Sequence, residues 1–274
     1  MTKFFIDCVF WGIEYIPCQL VSLKIFGVTH KDGAPKDVWN LYFNSEITNI
    51  TKNKFNPPNI SSNNEAFLFQ CMFRDYVGPI IFYYSVDNLN IMHSECFIIS
   101  CKSIVGTAAY ISNCGCSIVQ HRFCTNNCSA TNWGDHSYCY LKEESTEYLN
   151  YVDESSICEC GKSIAVFSHH NGKIRFSSTN ISKNNPEALY SSSPNFEKLN
   201  YSTIESNNAL NSRVICLDDQ NEYNIENCNI LNNFQENSDL GVIFIWGQLV
   251  LNGCSILGNL GKIFFLKDTL TLRS

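Results

Sequence analysis

Residues 221–266 read NEYNIENCNILNNFQENSDLGVIFIWGQLVLNGCSILGNLGKIFFL, and they say nearly the same thing twice. Tyr223, Ile225, Cys228 and Ile230 follow one spacing, and Leu249, Leu251, Cys254 and Ile256 repeat it 26 residues later. An Asn follows each set (Asn233, Asn259), then Leu-Gly and an apolar run: Leu240-Gly241-Val242-Ile243-Phe244 and Leu260-Gly261-Lys262-Ile263-Phe264. A period in this range marks a stacked array of supersecondary units.

Carried backwards from Cys254, the spacing defines an anchor column: Cys71, Cys96, His121, Ser155, Thr179, Ser202, Cys228 and Cys254. Two positions later stand Phe73, Ile98, Phe123, Ile157, Ile181, Ile204, Ile230 and Ile256, all apolar. Apolar residues also recur three and five positions before the anchor. Such alternation is strand periodicity, and the change from odd to even offsets at the anchor requires a bend there. Five positions after the anchor a second column holds Tyr76, Cys101, Asn126, Cys160, Asn184, Asn207, Asn233 and Asn259. An inward Asn there either hydrogen-bonds its equivalents in a ladder or simply favours a turn.

A further apolar strand follows in each repeat: Ile80–Tyr83, Ala108–Ile111, Tyr138–Leu141, Ile164–Phe167, Ala188–Tyr190, Val214–Leu217, Val242–Ile245 and Ile263–Leu266. Gly78, Gly106, Gly241 and Gly261 precede four of them, where a positive φ or tight corner is expected. Repeats of roughly 25 residues with several short strands and no 3.6-residue pattern predict an all-β fold. The expected architecture is a right-handed parallel β-helix, a solenoid of about eight regular rungs over 66–274. Residues 1–65 form a divergent N-terminal part, rungs or a cap, with Cys8 as a candidate anchor and Lys52–Asn64 as a polar loop. The long interval from His121 to Ser155 places an insertion at Cys128–Gly134 or Lys142–Tyr148, and insertions in solenoids map to loops on one face. The last residues, Leu270, Leu272 and Ser274, begin another rung with no visible cap. Either the coil continues or a partner covers the end, so end-to-end stacking through this rung is expected.

Composition narrows the function classes. The chain carries 33 Asn, 15 Cys, only 16% charged residues and a net charge of −7, so no basic stripe exists to neutralise phosphates and no nucleic acid is expected as a partner. Asp7 and Glu14 interrupt the N-terminal apolar stretch and no small-residue cleavage site follows, so no signal peptide is expected. Gly241–Leu266 is apolar but contains Gln248, Asn252, Asn259 and several Gly, which fits stacked strands better than a membrane span. Several of the cysteines fall at periodic inward positions, and they read mostly as buried thiols acting as small apolar residues.

Pairing of a C-x-[FI] strand (Cys71-Met72-Phe73, Cys96-Phe97-Ile98, Cys228-Asn229-Ile230, Cys254-Ser255-Ile256) with the four glycine-led strands resembles the FxxN and GGAI repeats of polymorphic outer-membrane-type β-helix proteins. It is also similar to the Cys- and Asn-rich β-helix families of anaerobic protists, taken to be surface proteins. That resemblance implies a pectin-lyase-like coil and surface display or adhesion, with no established activity.

Three function classes follow. The first is a non-enzymatic scaffold binding protein or glycan, with no catalytic, cofactor or metal residues. The second is a polysaccharide lyase or hydrolase, for which Asp218, Asp219, His169, Lys173 and Arg175 would have to converge. The third is a zinc-stabilised module built from His121, Cys124, Cys128, His136 and Cys139, or from the pairs Cys114/Cys116 and Cys158/Cys160. His169-His170 reads as a solvated corner. Sequons begin at Asn49, Asn59, Asn127, Asn180 and Asn200, with Asn180 and Asn200 expected to face outward.

Overall fold

The computed structural model describes residues 35–43, 47, 50–52 and 65–273, except 143–146, 162, 186, 194, 210–211 and 237–239. Cys8, most of the Lys52–Asn64 stretch, Asn49 and Asn59 lie outside them.

The chain is a β-solenoid. Each rung lays down one strand on each of three parallel sheets. In the rung that contains the opening motif these are Glu222–Glu226 on a first face, Asn229–Leu231 on a second and Ile243–Ile245 on a third. The next rung stacks on it in register: Tyr223 pairs with Leu249, Ile225 with Leu251, Ile230 with Ile256 and Ile243 with Phe264. The doubled spacing is therefore a doubled structure. Eight strands stack on the second face, so the chain makes seven full turns between the first and the last. The segment Gly241–Leu266 is divided among strands on all three faces. Among the described residues no helix is long and apolar enough to cross a membrane.

The corners explain the periodicity. A positive φ precedes the anchor in every rung, at Gln70, Glu95, Arg122, Glu154, Ser178, Tyr201, Asn227 and Gly253. A second follows five residues later, at Asp75, Ser100, Asn127, Glu159, Lys183, Ser206, Asn232 and Gly258. Each left-handed residue swings the chain and resets which parity faces inward, which is the bend implied by the odd-to-even shift. The five-residue second side never varies. All differences in rung length fall between the second corner of one rung and the first corner of the next, along the third and first faces and their connection.

These corners correct the register of the third rung. Its left-handed residue is Arg122, so the anchor there is Phe123 and not His121. Pairing agrees: Cys124 lies beside Phe97 and Ser156, and Thr125 beside Ile98 and Ile157. The second-column residue is then Cys128, not Asn126, and the inward residue two after the anchor is Thr125, so that column is not wholly apolar. The slip arose because the second rung carries three more residues than the first between Lys102 and Ala109, whereas its strand Ala109–His121 is one residue shorter than the partner path Ile81–Ser94. The insertion in the following rung lies at Lys142–Tyr148. Cys128–Gly134 is ordinary rung structure, in which Ser129-Ala130 pairs with Lys102-Ser103.

The interior is a stack of Leu, Ile, Val and Phe lined by hydrogen-bonding corners. In the second column Asn184, Asn207, Asn233 and Asn259 form a ladder. Each Nδ2 of the first three donates to the next Asn Oδ1 at 2.9–3.0 Å, and each Oδ1 from Asn207 on also accepts the backbone N–H of the preceding Asn. Asn207, Asn233 and Asn259 donate as well to the carbonyls of Ile181, Ile204 and Ile230. The upper rungs use Cys instead: Cys101 and Cys128 donate S–H to the equivalent carbonyls of Phe73 and Ile98. Both residues satisfy a corner carbonyl that water cannot reach. Cys96, Cys101, Cys114, Cys116, Cys128, Cys139, Cys216, Cys228 and Cys254 are free thiols, and all but Cys254 are buried.

One element is absent from the sequence reading. A helix (α1, Pro35–Asn40) packs on the outer side of the first face. Val38, Trp39 and Phe43 bury against Phe67, Phe69, Met92, Val119 and Tyr151, so the upper first face is apolar on both sides. A strand, Ile50–Lys52, extends the first sheet beside Phe67–Phe69.

Candidate binding face

The outer side of the third face carries the densest run of aromatic side chains. Alternation along each strand sends one set inward, such as Ile81, Tyr83, Ala109 and Ile111, and the other outward. In-register pairing stacks the outward set along the solenoid axis: Phe82, Tyr110, Tyr138, Ser168, Tyr190, Cys216, Phe244 and Phe265. A parallel column holds Tyr84, Ser112, Tyr140, His170 and Ser192. The rings lean on one another. Phe82 stacks on Tyr110 at 5.2 Å between centroids and Tyr110 on Tyr138 at 5.6 Å. His170 lies 5.3 Å from both Tyr140 and Tyr190. Because the rings face each other, the ladder offers solvent their edges and hydroxyls. Phe82 and Tyr84, at the top, are each 61% exposed.

The upper ladder is uncharged. From Phe82 to Ser192 neither column holds an Asp, Glu, Lys or Arg. Burial keeps the phenol of Tyr138 above its usual range. Burial lowers His170 to about 4 against an opposing pull from Asp218, so its imidazole is neutral near pH 7. The lower ladder is different. Arg213 lies 4.2 Å over Phe244, Lys262 4.8 Å over Phe265 and Lys267 2.9 Å over Trp246, so cations cover these rings. Between the halves sits Glu187, 2% exposed, bonded by Ser212 and 3.8 Å from Arg213. Burial raises its carboxyl to about 7.

The residues weighed for catalysis do not come together. Asp218 accepts from Tyr190 at 3.1 Å, and Asp219 binds the backbone N–H of Gln220. Lys173 pairs with Glu147, and Arg175 pairs with Asp153 over the Tyr151 ring on the first face. His169 is not a solvated corner: it is fully buried, sharing a 2.8 Å hydrogen bond with Ser137.

The candidate zinc ligands scatter too. His121 faces outward beside Ser94 (3.2 Å) and Glu154 (3.7 Å). Cys124 points out from the second face, while Cys128 occupies an inner corner. His136 lies within the coil, 2.7 Å from Gln120 and 2.8 Å from Thr125, and Cys139 is buried in the third sheet. Cys114 and Cys116 are both buried core residues. Among the described residues no three metal-ligating side chains converge. Asn200 does not face solvent, being 5% exposed, and Asn180 is half-buried.

The sequence reading missed the aromatic ladder. Its signal was present: outward positions of the third-face strands could be aligned across rungs once the inward ones were known. No protein-family model, curated protein or solved structure matches the chain.

Proposed function

We propose that this chain is a non-enzymatic β-solenoid scaffold that binds a protein or glycan ligand on the outer side of its third face. The observation that carries the reading is the uncharged ladder of aromatic edges and hydroxyls from Phe82 to Tyr190. Tyr-rich surfaces pair apolar contact area with a polar handle and lose little side-chain entropy when bound. The in-register stack fixes these side chains before a ligand arrives, which lowers the ordering cost of association. Among the described residues Asp218, Asp219, His169, Lys173 and Arg175 do not converge, which favours binding over catalysis. The surface-protein resemblance gives such a face a natural role in adhesion.

The test is a screen of glycans and proteins on the folded chain, repeated with the double variant F82S/Y84S and with E222S on the first face. Both altered sites are exposed, so folding is preserved. The reading expects at least tenfold weaker binding for F82S/Y84S and no change for E222S. Equal loss in both, or none in either, refutes it.

A further inference from the structure

Two polar atoms stay unpartnered in the middle of the third face. Glu187 is 2% exposed, and its Oε2 has no hydrogen-bond partner among the described residues, although Ser212 donates to Oε1. The Nε–H of Arg213 is likewise buried without an acceptor. The two residues do not close an ion pair. The Arg213 guanidinium stands 3.8 Å from Glu187 Oε1 and spends one N–H on a weak 3.6 Å contact with Cys216 Sγ. Native structures pair nearly every buried polar group, so an orphan acceptor and an orphan donor on neighbouring side chains mark a place where something else binds.

The surroundings limit what that is. Glu187 and Tyr190 share one strand, Glu187–Ser192. Tyr190 donates to Asp218 at 3.1 Å, and the partly buried Trp133 indole lies 5.6 Å from the Tyr190 ring. A carboxylate ligand would meet Glu187 and Asp218, and an ammonium would meet Arg213, so the site favours a neutral group. That group must donate to Oε2 and accept from the Nε–H. Adjacent hydroxyls do both, since each carries one donor and two acceptor lone pairs. Trp133 and Tyr190 add apolar surface against which the C–H groups of a sugar ring can pack.

On the reading of the third face as a binding face, we propose that Glu187, Arg213 and Trp133 form a subsite for a neutral glycan, in which adjacent sugar hydroxyls donate to Glu187 Oε2 and accept from the Arg213 Nε–H while the sugar ring packs on Trp133. Arg213 is the way in. Its side chain is 27% exposed against 2% for Glu187, it rests on the Phe244 ring at 4.2 Å, and turning it aside uncovers the carboxylate. Burial raises the Glu187 carboxyl to about 7, with Ser212 and Arg213 pulling it down and Asp218 pushing it up. Tyr190 and Cys216 are the other titratable groups facing it. A hydroxyl donating to Oε2 favours the ionised carboxylate, so binding at pH 7 releases a proton.

The test is titration calorimetry of the full chain with short neutral oligosaccharides of glucan, mannan and galactan type, and with a polyuronate oligosaccharide. At least one neutral oligosaccharide should bind, about tenfold or more tightly than the polyuronate, and its binding enthalpy at pH 7 should change with the ionisation enthalpy of the buffer as a proton is released. E187Q and W133S should each weaken that binding by about tenfold, the loss of one charge-assisted hydrogen bond or one packed ring, and E187Q should abolish the buffer dependence. Trp133 is only partly buried, so W133S keeps the fold and carries the test on its own should E187Q fail to fold. Binding lost in F82S/Y84S but kept in E187Q and W133S overturns this subsite and leaves the binding face standing, whereas binding kept in all of them overturns both. Preference for the polyuronate, or a protein ligand that needs Glu187 while no neutral oligosaccharide binds, also overturns the subsite.

Discussion

Acidification should weaken this coil through three imidazoles sealed inside it. His93, His136 and His169 are at most 1% exposed and lie in the second to fourth rungs. His136 is held neutral by its partners. Its Nε2–H donates to Gln120 Oε1 and its Nδ1 accepts from Thr125, while Phe123 stacks on the ring at 4.5 Å. A second proton would replace an accepted hydrogen bond with two facing donors. Burial lowers His93 from 6.5 to about 4 and His169 to about 3, and puts His136 well below its usual range.

These folded-state values are depressed. The unfolded chain therefore binds protons from about pH 6.5 downward while the folded chain does not, and stability falls as pH drops through that window. At pH 5, His93 and His169 together remove about 4 kcal/mol relative to pH 7, and His136 acts in the same direction. Glu187 opposes them. Its carboxyl is raised to about 7, so protonation between pH 7 and 5 returns about 2 kcal/mol, and the raised Asp153 acts in the same sense. The expected outcome is a net loss of at least about 2 kcal/mol, read as a lower urea midpoint at pH 5 than at pH 7. The variant H93Q isolates the cause. Gln already occupies the paired position in the next rung, Gln120, and does not titrate. It should reduce the loss between the two pH values by about 2 kcal/mol. An unchanged pH dependence in H93Q refutes the reasoning.

Other substitutions probe the corners and the docked helix. Asn233→Ala removes the partners of Asn207, Asn259 and the Ile204 carbonyl and should cost about 2–4 kcal/mol in chemical denaturation, whereas Asn233→Cys, the upper-rung solution, should cost less. Tyr201→Asn should stabilise by about 1 kcal/mol, because Tyr201 is 63% exposed at a left-handed φ of 50° that Asn tolerates better. Gly106→Ala would set a Cβ 2.0 Å from the Ala109 carbonyl oxygen at positive φ and should lower the thermal midpoint, by a loss of about 2 kcal/mol or more. Trp39→Ala should cost about 3–5 kcal/mol and expose the outer first face to limited proteolysis while the β circular dichroism signal persists.

The repeat was legible because strand alternation and corner chemistry are local. Columns such as Ile225/Leu251 and Ile230/Ile256 are exact register partners, and Gly78, Gly106, Gly241 and Gly261 all adopt positive φ as their position required. What failed was non-local. Nothing in the sequence marks the three extra residues that the second rung holds between Lys102 and Ala109, so the third rung slipped by two residues and His121 took the place of Phe123. Helix α1 is too short to show a 3.6-residue period and owes its place to Trp39 packing on Phe67. The polar interior at Gln120, Thr125 and His136 was hidden by the same slip. The aromatic ladder was invisible while the outward positions were unaligned. The Asn column was seen, but its ladder could be told from turn preference only once the amides were placed.

The stacking of rungs in register along one axis is tested most directly by distances between spin labels introduced as unnatural amino acids at Arg74, Ser182 and Leu257. These positions share one column of the second face, in the first, fifth and eighth rungs. With strands about 4.8 Å apart, the coil predicts about 19 Å from 74 to 182 and about 34 Å from 74 to 257, collinear and additive within the labels' reach. A distance from 74 to 257 equal to or shorter than that from 74 to 182 would contradict it.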